Sequence, residues 1–132
     1  MEGLPVVAVV NTNPDLVEEL KERIEVAGFV VLILHIQDIR QGLDVGAVLA
    51  QHDPKVIVYD IVYPYERNWR FFEHLRETVL DGRRFVLTTP NAAGMRRALD
   101  RDEMVYEVID DAGDIDAIVQ AVREASRARP TR

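Results

Sequence analysis

The sequence predicts an α/β fold: a five-stranded parallel sheet in the order 2-1-3-4-5, covered on both faces by five helices. Three observations carry that prediction. Val56, Ile57, Val58 and Tyr59 form an apolar, mostly β-branched run without alternation, as a strand does when both of its faces are covered. Four comparable runs occur, at residues 5–10, 29–35, 85–87 and 104–109. Between and after them lie stripes of apolar residues at helical spacing, and strict alternation of this kind implies right-handed crossovers and a parallel sheet.

The elements follow in order. Residues 5–10 read as the first strand, ended by Asn11-Thr12-Asn13-Pro14. Asn13 suits an N-cap, and Pro14 suits the first helical position, where a missing N–H costs nothing. Asp15, Glu18 and Glu19 favour the positive end of that helix. Val17, Leu20, Ile24 and Ala27 form its stripe, and Gly28 closes it. The run 29–35 is read as a second buried strand. Polar chain containing Gly42 follows, then a short helix marked by Val45, Val48 and Leu49 and ended by His52-Asp53-Pro54. The third strand is the run at 56–59, with Asp60 directly after it. Trp69, Phe72, Leu75 and Val79 mark the third helix, closed at Asp81-Gly82. The fourth strand ends in Thr88-Thr89-Pro90. Asn91 caps a helix to about Leu99 that carries Ala92 and Met95 and is weakened by Gly94. The fifth strand is interrupted by Glu107. Asp114 caps the last helix, whose stripe is Ile115, Ile118, Val122 and Ala125.

Size and charge narrow the function. A chain of 132 residues makes one domain, expected over residues 1–126, with a basic, frayed tail at 127–132. The net charge of −7 would repel a phosphate backbone and argues against nucleic-acid binding. No apolar run is long enough to span a bilayer, so no membrane association is expected. No charged-then-apolar leader precedes Val6, and no signal peptide is expected. The absence of cysteine excludes disulfides and thiolate metal sites and fits a reducing, cytoplasmic setting. His35, His52 and His74 do not have ligand spacing.

The strand order sets the first and third strands side by side, as in flavodoxin-like folds, where ligands bind outside the carboxyl ends of the strands. One crevice then collects Asn11, Thr12 and Asp60, with Thr88 from the fourth strand and Ile109 from the fifth. These residues resemble the receiver domain of two-component response regulators (CheY-like), over essentially the whole chain. The resemblance rests on Asp60 with Pro64 four residues later, Thr88 at the end of the fourth strand, and Tyr106 three residues before Ile109. It implies a phosphoacceptor position at Asp60, a phosphoryl-contacting hydroxyl at Thr88 and a switching aromatic at Tyr106. It also implies a signalling module rather than an enzyme. Its contact face would be formed by the fourth helix, fifth strand and fifth helix, including Arg96, Arg97, Tyr106 and Glu107. The partners implied are a histidine kinase, an output protein or a second copy in a homodimer.

The departures matter more for function. The acidic pair that holds Mg²⁺ in such domains is replaced by Asn11 and Thr12, with neutral Asn13 beside them. Mg²⁺ prefers oxygen ligands that include carboxylates, so its binding is expected to be weak or absent, and no cofactor is expected. The fifth-strand Lys before a Pro is replaced by Ile109-Asp110, and Asn68 stands where a Gly follows the Asp–Pro segment. Phosphoryl transfer depends on charge neutralisation and positioning. The expectation is a degenerate receiver, or pseudo-receiver, acting through protein contacts. Two alternatives remain open: phosphorylation of Asp60 by a partner kinase that supplies charge, and small-ligand binding in the same crevice. Plainer roles stand beside these. Asp60 can accept bonds from loop N–H groups or from Asn11, Thr88 and Thr89 can simply end a strand, and Tyr106 can be a packing residue. Arg96 and Arg97 suit a solvated helix face, and Tyr63, Tyr65 and Trp69 would gather near the crevice mouth.

Overall fold

The computed structural model describes residues 4–11, 13–78, 83–98, 105–111 and 113–127, without the side chains of Arg97, Ala98 and Tyr106. Its strands are β1 (Val6–Asn11), β2 (Val30–His35), β3 (Val56–Asp60), β4 (Arg84–Thr88) and β5 (Val105–Ile109). Its helices are α1 (Pro14–Val26), α2 (Ile36–Arg40), α3 (Val45–His52), α4 (Tyr65–Thr78), α5 (Ala92–Ala98) and α6 (Ile115–Arg127). All strand pairs are parallel and the order is β2-β1-β3-β4-β5, as the alternation predicts.

Local chemistry sets the helix starts. The Asn13 side chain accepts from the N–H groups of Asp15 (3.1 Å) and Leu16 (3.3 Å), two donors that the first turn of α1 would otherwise leave unpaired. Asp114 does the same for Ala117 at 3.2 Å, and Asp44 for Ala47 at 3.0 Å. Gly28 follows α1 at φ +103°, a conformation that only glycine adopts without strain.

The sheet divides the interior into two cores by its period of two. Val7, Val9, Val56, Val58 and Val86 face α1 and α6, and pack on Val17, Leu20, Ile24, Ile118 and Val122. Ala8, Val10, Ile57, Tyr59, Phe85 and Leu87 face the other way, onto residues that include Leu49, Phe72, Leu75 and Met95. All five residues of β3 are buried, so its unalternating sequence reflects real coverage on both sides.

Two expectations are corrected. There are six helices rather than five among the described residues. The extra one, α2, is a single turn in the stretch read as polar chain. Ile36 is buried and Ile39 packs beside it, but two apolar residues are too few to register as a stripe. Second, β2 is not fully covered: it is an end strand, Val30 is 46% exposed, and of its residues only Leu34 is buried. Val79, Asp81, Gly82, Leu99 and Met104 lie outside the described residues, as does the basic tail after Arg127, which itself ends α6.

Candidate functional site

Register, not proximity in sequence, assembles the site. Asp60 is paired with Thr88, and Thr88 with Ile109, across the ends of β3, β4 and β5. On the other side Val10 pairs with Tyr59, which brings Asn11 to the level of Asp60. By strand alternation these four residues share the face of Val9, Val58 and Val86. Asn11 (3% exposed), Asp60 (8%), Thr88 (1%) and Ile109 (7%) are all buried there. Thr12 lies outside the described residues.

Among the described residues the carboxylate of Asp60 has one hydrogen-bond partner. The Thr88 hydroxyl donates to its Oδ1 at 2.7 Å. Burial pushes the Asp60 carboxyl above the usual carboxylate range, and the bond from Thr88 works the other way without cancelling it. Asn11 does not contribute. Its Oδ1 accepts from the N–H of Asn13 at 2.8 Å, which commits it to the turn leading into α1. Thr88 and Thr89 divide their roles: Thr88 turns to Asp60, while the Thr89 hydroxyl accepts from the N–H of Asn91 at 3.2 Å and opens the turn before α5. The side chain of Ile109 packs in the α1/α6 core, so no cation projects from that position.

Among the described residues, no three His, Cys, Asp or Glu side chains are grouped to hold a metal. Asn11 Oδ1, level with Asp60, accepts from a backbone donor.

Across the sheet lies a different environment that the sequence pattern did not signal. A cleft of about 180 Å³ runs between α2, the end of β3 and α4, and its lining includes Arg40, Tyr59, Asp60, Tyr63, Arg67 and Asn68. Arg40 sits on the short helix that periodicity misses. Neither guanidinium forms an ion pair or hydrogen bond with Asp60. Tyr63 is 79% exposed at the mouth, edge-on to Tyr65 with ring centres 5.9 Å apart. Trp69 packs on Phe72 with ring centres 5.5 Å apart and lines, with Tyr65, a second pocket of about 300 Å³.

The expected contact face is a groove of about 340 Å³ between α5, β5 and α6, lined by Arg96, Glu107, Asp110, Asp114 and Glu124 among others. Arg96 donates to the Val108 carbonyl at 2.5 Å, which ties α5 to β5. Arg97 and Tyr106 lie on α5 and β5, and their side chains are outside what is described.

A 2-1-3-4-5 parallel sheet with helices on both faces is the flavodoxin-like architecture, which CheY-like receivers share. The solved structures this chain resembles include response regulators. The beryllofluoride-activated NtrC receiver domain superposes with a TM-score of 0.69 at 18% identity, covering 98% of this chain and 100% of that one. A response regulator from Thermotoga maritima gives 0.69 at 15% identity, with 94% and 98% covered. A chain from the complex of histidine kinase ThkA with response regulator protein TrrA gives 0.59 at 16% identity, with 92% and 97% covered. At these identities the likeness establishes the fold. No family model matches the chain, and no curated protein does.

Proposed function

We propose that the chain is a pseudo-receiver: a protein-interaction module in two-component signalling whose Mg²⁺-dependent phosphorylation is impaired or absent. The observation that carries this reading is the isolation of Asp60, a buried acid held by one hydroxyl, with no second acid and no cation paired with it among the described residues. Phosphoryl transfer needs its developing charge neutralised, and this face of the sheet supplies little neutralising charge. The reading makes residues 1–126 one cytoplasmic domain and gives it a protein partner. The groove bearing Arg96 and Glu107 is the surface offered, to an output protein or to a second copy. A receiver-like structure complexed with a histidine kinase supports the choice of partner class.

A second reading is favoured by one specific contact. The Thr88 hydroxyl lies 2.7 Å from Asp60, where it could contact a group carried on that carboxylate. On that reading a partner kinase phosphorylates Asp60 and brings the missing charge.

Intact-mass measurement after incubation with acetyl phosphate and Mg²⁺ separates the two. The pseudo-receiver reading expects no added phosphoryl mass. A gain that disappears in Asp60→Asn overturns it.

A further inference from the structure

We propose that the cleft between α2, the end of β3 and α4 binds a small phosphate-bearing ligand non-covalently, its anion held by the guanidinium groups of Arg40 and Arg67 and the hydroxyl of Tyr59. Asp60 also borders this cleft, with its carboxylate engaged by the Thr88 hydroxyl at 2.7 Å. Tyr59 precedes Asp60 on β3 and points to the opposite face.

Three observations converge on an anion. The cleft is lined by two arginines in a chain whose net charge is −7. Arg67 forms no ion pair or hydrogen bond among the described residues, although the next arginine along α4, Arg70, pairs with Glu66 at 2.5 Å. Arg40 is held in place without being neutralised. It donates to Asn68 Oδ1 at 2.8 Å, Asn68 is fixed in turn by its own bond to the Val62 carbonyl (2.8 Å), and the guanidinium lies 5.0 Å from the centre of the Phe71 ring. A guanidinium fixed by a neutral amide keeps its charge and most of its donors for a ligand, and loses less entropy on binding than a free one.

The third observation is Tyr59. It is 1% exposed and lines the cleft, yet its hydroxyl makes no hydrogen bond among the described residues. With no partner of its own, this hydroxyl is a donor that a ligand in the cleft can use, beside the Arg40 charge. The Arg40 charge acts on this phenol and partly offsets the upward push of burial on its pKa. A phosphate offers enough acceptor oxygens for two guanidinium forks and a phenol together, whereas a carboxylate has only two. The cleft has room for roughly six waters, more than a bare phosphate fills. The exposed ring of Tyr63 stands at its mouth.

The test is calorimetric titration of the whole chain with inorganic phosphate and with phenyl phosphate, at constant ionic strength against a chloride control. Saturable one-to-one binding is expected, with intact mass unchanged after dialysis. Tighter binding of phenyl phosphate identifies a phosphomonoester as the ligand class, and equal binding identifies the free anion. Arg67→Ala should weaken binding about tenfold, the loss of one charge-assisted contact. Tyr59→Phe should weaken it severalfold, and Arg70→Ala should leave it unchanged. Arg67 is exposed and forms no hydrogen bond or ion pair among the described residues, so its variant decides the matter even if Arg40→Ala disturbs α2. Heats indistinguishable from chloride, or equal affinity in Arg67→Ala, overturn the proposal. The outcome is independent of Asp60 phosphorylation, which is read by mass.

Discussion

The two sides of the end of β3 differ in what they lack. Toward α1 and α6, Asp60 is an acid without a cation. Toward α2 and α4, Arg40 and Arg67 line a cleft that Asp60 also borders, and neither pairs with it. One residue step along the strand separates Tyr59 from Asp60, and the pleat sends them to opposite faces. The lesson is that charge at the head of a parallel sheet is not pooled. An acid that ends a strand buried on both sides can border a cationic cleft and still be unpaired with it, its oxygen engaged by the Thr88 hydroxyl instead.

The sharpest way to break this contrast is to charge the dry face itself. Val58 is 2% exposed among α1 and α6 residues, and Val58→Asp should cost more than about 3 kcal/mol, seen as a large fall in urea midpoint or Tm. A tolerated substitution would mean that the face admits water and that the isolation of Asp60 is illusory. Thr88→Val removes the one donor to Asp60 among the described residues and should cost about 1–2 kcal/mol at pH 7 by the same measurement.

Asp60→Asn should act in the opposite direction. The folded-state pKa of Asp60 is raised, so between its ordinary value and that raised value the native chain binds more protons than the unfolded one. Stability contributed by Asp60 is therefore lost as pH rises through that window, and it does not return above it. The Asn variant should gain stability relative to the parent from acid toward neutral pH, and thermal melts in matched buffers at several pH values check this. A gain that instead shrinks toward neutral pH would mean the carboxylate is stabilised by a cation after all. The smallest effect should be that of Tyr59→Phe, which deletes an unpaired hydroxyl. Its Tm should move by less than about 0.5 kcal/mol in equivalent terms, while phosphate binding weakens.

Much of the fold is legible in the sequence because long-range burial leaves a local mark. Unalternating runs at 56–59 and 85–87 are buried on both faces, and the stripe of Ile115, Ile118, Val122 and Ala125 is buried throughout. Asn13 and Asp114 cap where expected because capping needs only neighbours. The end position of β2 leaves no such mark. Its residues are as apolar as those of a central strand, and only its place in the sheet exposes Val30. The juxtaposition of Asp60 with Thr88 follows from topology and could be anticipated. The cleft of Arg40, Tyr59 and Arg67 could not, since it depends on a one-turn helix with two apolar contacts and on an amide, Asn68, that joins α2 to α4.

The uncovered rim of β2 has a consequence for how the protein behaves when crowded. Residues 30–34 are Val-Val-Leu-Ile-Leu, without charge or proline, and among the described residues their outward N–H and C=O groups meet no further strand. Such a border is a template for cross-strand growth, and nothing in the run itself blocks another chain from docking there. What keeps copies apart is the overall negative charge, so concentrated solutions near the isoelectric point of about 4.9 should coagulate first along this border. A lysine introduced at the exposed Val30 would raise that threshold without touching either core.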